Sequence, residues 1–167
     1  MLKFFGNIIM VATLLSLGSI AFAKTNGQSD STYQACIQLQ HSDSEKFDHL
    51  IKNPKKWDAV LDKISTGRSS CLALAAKIKP YTDAANSESL NLAVALAMPK
   101  NPNGVLSLVH DHFTLEEVCT VPYIEADDKL VKQYLKVTIH ALSSRSLTNK
   151  LASSCLKILK PLYEKSV

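Results

Sequence analysis

The stretch Leu90-Asn91-Leu92-Ala93-Val94-Ala95-Leu96-Ala97-Met98 decides the fold. It is apolar almost all round, rich in alanine, and lacks the strict alternation of a half-buried strand. A helix of that kind is buried on most sides, which places it at the centre of a domain. The flanking sequence is punctuated as helices. Asn53-Pro54 and Asn101-Pro102 each set an N-cap residue before a first-turn proline. Ser42-x-x-Glu45 and Thr114-x-x-Glu117 read as capping boxes. Between them run apolar stripes at helical spacing: Trp57, Val60, Leu61 and Ile64, then Cys71, Leu74, Ala75 and Ile78. Gly67 ends the first as a left-handed cap, and Pro80 stops the second.

Towards the C-terminus, Asp127 or Asp128 opens a long helix with Val131, Leu135, Thr138 and Leu142 inward. The last helix carries Leu147, Leu151, Cys155, Ile158 and Leu162 on one face, and Pro161 should kink or end it. Composition agrees with this reading. Five glycines, six prolines and 7% aromatic residues disfavour an all-β sandwich. With 46% hydrophobic and 20% charged residues, the chain is neither disordered nor a polytopic membrane protein. The expected fold is all-α: a compact helical-hairpin (HEAT-like) bundle of about seven to eight helices. A hint of repetition supports the hairpin reading, because each Asn-Pro precedes a cysteine, Cys71 or Cys119, by the same interval.

The N-terminus reads as a signal peptide over residues 1–23. Lys3 supplies the positive start, Ile8 to Leu17 the apolar run, and Ala21-Phe22-Ala23 the cleavage site. Residues 24–31 are polar and small, a flexible lead-in, and 32–167 form a single helical domain. The expected location is the Gram-negative periplasm or the exterior, with no stable membrane insertion. Four cysteines after an export signal read as two disulfides. If Cys71 and Cys119 hold equivalent places on stacked helices, about 8–10 Å apart, they are too distant for each other. That favours Cys36–Cys71 and Cys119–Cys155. The net charge of +4 is too mild and scattered to imply a nucleic-acid partner.

Catalytic signals are poor. His110-Asp111-His112 is the most ligand-like cluster, but i and i+2 share no helical face and no third histidine is near in sequence. Neither a metal nor any other cofactor is expected. Ser154-x-x-Lys157 lacks the companion motifs of penicillin-binding enzymes. The acid pairs Glu116-Glu117 and Asp127-Asp128 fall in first helical turns, where the helix dipole accounts for them. Trp57 lies on an inward stripe and reads as core. The candidate binding residues are Tyr81, Thr82 and Asp83 in one loop, and Tyr123 and Glu125 in another. Both segments follow helix stops and combine tyrosine with an acid, and tyrosine is enriched at interface centres.

The string Trp57, Ile64, Gly67, Asp83-Ala84, Ser87-Glu88-Ser89-Leu90, Asn101-Pro102, Val105-Leu106, Val118-Cys119, Pro122-x-Ile124-Glu125 and Cys155-Leu156 resembles small exported all-helical proteins of Gram-negative bacteria. Most of those lack an assigned activity, and the shared residues are structural. Size, export and disulfides are also similar to periplasmic immunity proteins that block toxins delivered by type VI secretion. This resemblance implies a non-catalytic module whose partner is another periplasmic protein, a toxin or an envelope enzyme. The alternatives are a small hydrolase of envelope material and an accessory subunit of an envelope complex. Mass measurement of the exported protein should find a chain that begins at Lys24; a mature chain that keeps Met1 refutes the signal reading.

Overall fold

The computed structural model describes residues 27–123, 125–144 and 149–166, with side chains from residue 34 onward. The signal peptide, the start of the lead-in, Ile124 and Leu147 lie outside the described residues. Nine α-helices and one 3-10 turn make up the described chain, and no strand occurs among these residues. In order they are α1 (Gly27–Gln40), α2 (Ser44–Ile51), α3 (Pro54–Ser65), α4 (Ser69–Ile78), the 3-10 turn Lys79–Tyr81, α5 (Ala84–Ala97), α6 (Pro102–Leu106), α7 (Leu115–Val118), α8 (Asp128–Ser143) and α9 (Lys150–Lys165).

The fold is thus all-α, as the periodicity predicts. Within the expected lead-in, the described residues from Gly27 onward are the start of α1.

Capping explains most of the boundaries. Asn53 accepts from Lys56 N, Asp83 from Asn86 N, Asn101 from Gly104 N and Asp127 from Leu130 N. Each satisfies a first-turn amide that has no partner within its helix. The Thr114–Glu117 capping box is complete in both directions. The box expected at Ser42 is not formed; Asp43, one residue on, caps α2 by accepting from Lys46 N. Gly67 ends the α3 region with φ +76. Its carbonyl accepts from Asn101 Nδ2 at 2.8 Å while Asn101 Oδ1 caps α6, so one side chain joins the end of α3 to the start of α6. Gly104 has no room for a Cβ, which would lie 2.8 Å from Leu72.

α5 sits at the centre. Leu90, Ala93, Val94, Ala95, Ala97 and Met98 are all buried, and α3, α4, α6 and α7 pack around them. Trp57 is core, as expected, and its indole Nε1 donates to Ser89 Oγ on α5. α8 contributes Tyr134, whose hydroxyl donates to the Ala95 carbonyl at 2.9 Å. Burial holds that phenol far above its ordinary pKa, so it remains a donor at every working pH. Leu135, Thr138 and Leu142 face inward on α8, as their spacing predicts.

Two expectations about the C-terminal part are revised. α9 runs on through Pro161 to Lys165, and its buried face is Ala152, Cys155, Leu156 and Leu159, rotated from the stripe anticipated. The equal Asn-Pro to Cys intervals do not mark equal structure. α3 has 12 residues and α6 has 5, and Cys71 lies within α4 whereas Cys119 is the C-cap of α7.

The disulfides are Cys36–Cys71 and Cys119–Cys155, with Cα separations of 5.1 and 5.4 Å. The first ties α1 to α4 and the second ties α7 to α9. α1 is held to α4 further by Gln40, whose side chain donates to the Ser70 carbonyl and whose own carbonyl accepts from Lys77 Nζ.

The amides of Val94 and Ala95 should be among the slowest to exchange with solvent. Tyr134→Phe, which leaves the Ala95 carbonyl without that donor, should cost about 1–2 kcal/mol in chemical denaturation. Fast exchange in α5, or an unchanged stability for Tyr134→Phe, contradicts the central placement.

Candidate functional site

Two surface features could do work, and they are built differently. The first is a polar cleft of about 710 Å³ lined by Lys79 and by His110 to Glu117. Its floor is a network rather than a free acid or base. Lys79 Nζ donates to Ser87 Oγ at 2.8 Å, Asn91 Oδ1 at 2.6 Å and Glu117 Oε1 at 2.8 Å. It also stands 4.8 Å from the centre of the Phe113 ring. Asn91 Nδ2 donates to Glu117 Oε1, and the Thr114 amide donates to Glu117 Oε2. The ammonium has three protons and three acceptors, and both carboxylate oxygens are engaged.

Partial burial pushes the Glu117 carboxyl up. The hydrogen bond from Lys79, the Thr114 amide, the Lys79 charge and Asn91 outweigh it, so its pKa lies below the ordinary 4.5. The network therefore pins the 3-10 turn, α5 and α7 together.

Above this floor, His110, Asp111 and His112 form an exposed loop closed by the Val109–Phe113 bridge. His110 has φ +83, a left-handed conformation that histidine adopts more readily than most residues. A loop is what two ligands at i and i+2 would need. Among the described residues, however, no group of three His, Cys, Asp or Glu side chains is arranged to hold a metal ion. No hydrogen bond joins Ser154 to Lys157 among the described residues.

The second feature is an apolar trough along the outer face of α8. One part, about 660 Å³, is lined by Pro99, Lys136, Val137, Ile139, His140, Ala141 and Ser143. The other, about 230 Å³, is lined by Leu96, Pro99, Lys100, Tyr123, Leu130, Gln133, Tyr134 and Val137. The two parts are separate hollows that share Pro99 and Val137 in their linings. Val137 is 46% exposed and Leu130 is 41% exposed.

The residues expected to bind a partner fall in different places. Tyr81 is 48% exposed at the end of the 3-10 turn, its ring 5.3 Å from that of the buried Phe47. Thr82 donates to the Lys79 carbonyl and Asp83 caps α5, so both shape the loop. This loop adjoins the polar cleft through Lys79. Tyr123 is half-buried in the wall of the trough, edge-on to Tyr134 with ring centres 5.6 Å apart. Glu125 is exposed with φ +54. No hydrogen bond, ring contact or shared cavity wall joins the Tyr81 segment to the Tyr123 segment among the described residues. The sequence marks Tyr123 as a candidate but gives no direct sign of the hollow beside it. The available signal was Leu130 and Val137, apolar residues seven apart that lie off the inward stripe of α8.

No protein-family model, no curated protein and no solved structure matches this chain.

Lys79→Met leaves a partly buried carboxylate without its cation and should destabilise the protein by about 2 kcal/mol at neutral pH. The sign of the pH dependence follows from the lowered Glu117 pKa. Its contribution is complete above the ordinary carboxyl value and is lost as pH falls through the folded value. Glu117→Gln should therefore flatten the acid limb of stability relative to wild type. Parallel acid limbs for the two proteins contradict this assignment.

Proposed function

We propose that this chain is an exported, non-catalytic protein-binding module of the Gram-negative periplasm, an inhibitor or immunity protein that occupies the surface of a toxin or envelope enzyme. The observation that carries the reading is the α8 trough with Tyr123 in its wall. An aliphatic groove with an aromatic rim suits the anchoring side chains of a protein partner. The disulfides fit an oxidising compartment. No helix among the described residues is long and apolar enough to cross a membrane.

A hydrolase of envelope material is the competing reading, and the polar cleft with His110 and His112 is where it would operate. In that cleft the acid and the cation already satisfy each other, which favours a structural role for them. Nothing particular to an accessory subunit stands beside these features.

Affinity capture from envelope extract, with Tyr81→Ala, Tyr123→Ala and Glu125→Ala baits, tests the proposal. A specific protein partner should be retained by the wild type and lost at least about tenfold with Tyr123→Ala, the effect of truncating an interface anchor. Turnover of a cell-wall or ester substrate that disappears in His110→Ala or His112→Ala supports the hydrolase instead.

A further inference from the structure

Resting on the protein-binding reading, we infer that the α8 trough is the docking site for an acidic amphipathic helix of the partner protein. The first argument is charge. From residue 128 to the end, eight lysines and arginines face two acids, Asp128 and Glu164, whereas the preceding residues carry eleven against thirteen. The mild overall charge hides this segregation, and the trough lies on the basic side. Lys136 and His140 line its larger part and Lys100 its smaller part, and no aspartate or glutamate lines either. Val137 thus lies among basic lining residues, while Leu130 stands at the acidic start of α8, beside Asp127 and Asp128. A complementary surface carries apolar side chains flanked by carboxylates.

The second argument is shape. The lining residues of the two hollows span α8 from Leu130 to Ser143, roughly 20 Å at 1.5 Å per residue. That accommodates three to four turns of a docked helix, whose anchors recur at i, i+3 or i+4 and i+7. The spacing of Leu130 and Val137, seven residues, is the same interval on this side of the contact. A lipid surface is the weaker match, because a bilayer covers protruding apolar faces and gains nothing from a concave one walled by Pro99 and Leu96.

The test replaces Val137 with a photo-crosslinking residue, p-benzoylphenylalanine, in the full chain produced in its native envelope, with Tyr81 replaced in the same way in a second strain. Irradiation should join position 137 to a protein segment that is helical, amphipathic and richer in Asp and Glu than in Lys and Arg. Binding of that purified protein should weaken at least about tenfold with Lys136→Glu, which sets like charges against each other. Lys136 is exposed, so that variant should keep its helical circular dichroism.

An adduct with phospholipid, with the same chain, with a second copy or with a basic segment overturns the inference, as does unaltered binding by Lys136→Glu. An adduct at position 81 and none at 137 overturns it while leaving the protein-binding reading in place. Absence of a protein adduct at both positions overturns both.

Discussion

Burying α5 on nearly every side is the constraint from which the rest of the arrangement follows. An α-helix can be surrounded so closely only if much of its surface is small, and Ala93, Ala95 and Ala97 supply that. Neighbouring helices then approach near enough for polar side chains to reach its backbone and its few polar positions. Tyr134 reaches the Ala95 carbonyl from α8, and Trp57 reaches Ser89 from α3. The N-terminal half of α5 carries Ser87 and Asn91, and Lys79 and Glu117 meet there. The polar cleft therefore lies where α5 stops being apolar.

The helices at the periphery need other means of attachment. α1 and α9 pack by one face, and each is fixed by a disulfide to an element nearer the core. Closing a loop of about 35 residues removes unfolded-state entropy worth roughly 3–4 kcal/mol in the chain-entropy model. That is a large share of the 5–15 kcal/mol typical of a whole domain. The second bridge also settles which face of α9 turns inward, since Cys155 must point at Cys119.

Local signals were legible and distant ones were not. Caps at Asn53, Asp83, Asn101, Thr114 and Asp127 depend on residues three apart, so the chain displays them directly. Even there, Ser42 and Asp43 compete, and burial of Phe47 and Leu50 suits the start that Asp43 gives. The α9 stripe was misplaced because Ala152 and Leu156 fit a 3.6-residue period as well as Leu151 and Ile158 do. α1 escaped notice because its first residues are polar and its attachment comes from Cys36 and Gln40. The Lys79–Glu117 pair spans 38 residues and leaves no local trace. The loops that carry Tyr81 and Tyr123 are legible locally, but whether each ring stands alone or belongs to a larger surface depends on α2 and α8.

The place of the trough bears on its suitability for recognition. One wall is Leu96 and Pro99, at and just beyond the C-terminal end of α5, where Ala97 and Met98 are fully buried. The other is α8, fixed to α5 by Tyr134 and joined along its length to α9. The α5 wall thus adjoins fully buried residues, and the α8 wall is backed by α9. Ordering of side chains and loops is a principal cost of association, and a surface that is already rigid avoids most of it. Leu130 and Val137 are carried on a helix, so their spacing along the hollow that Tyr123 also lines is fixed by α8 itself, which a loop carrying the same two residues would not ensure.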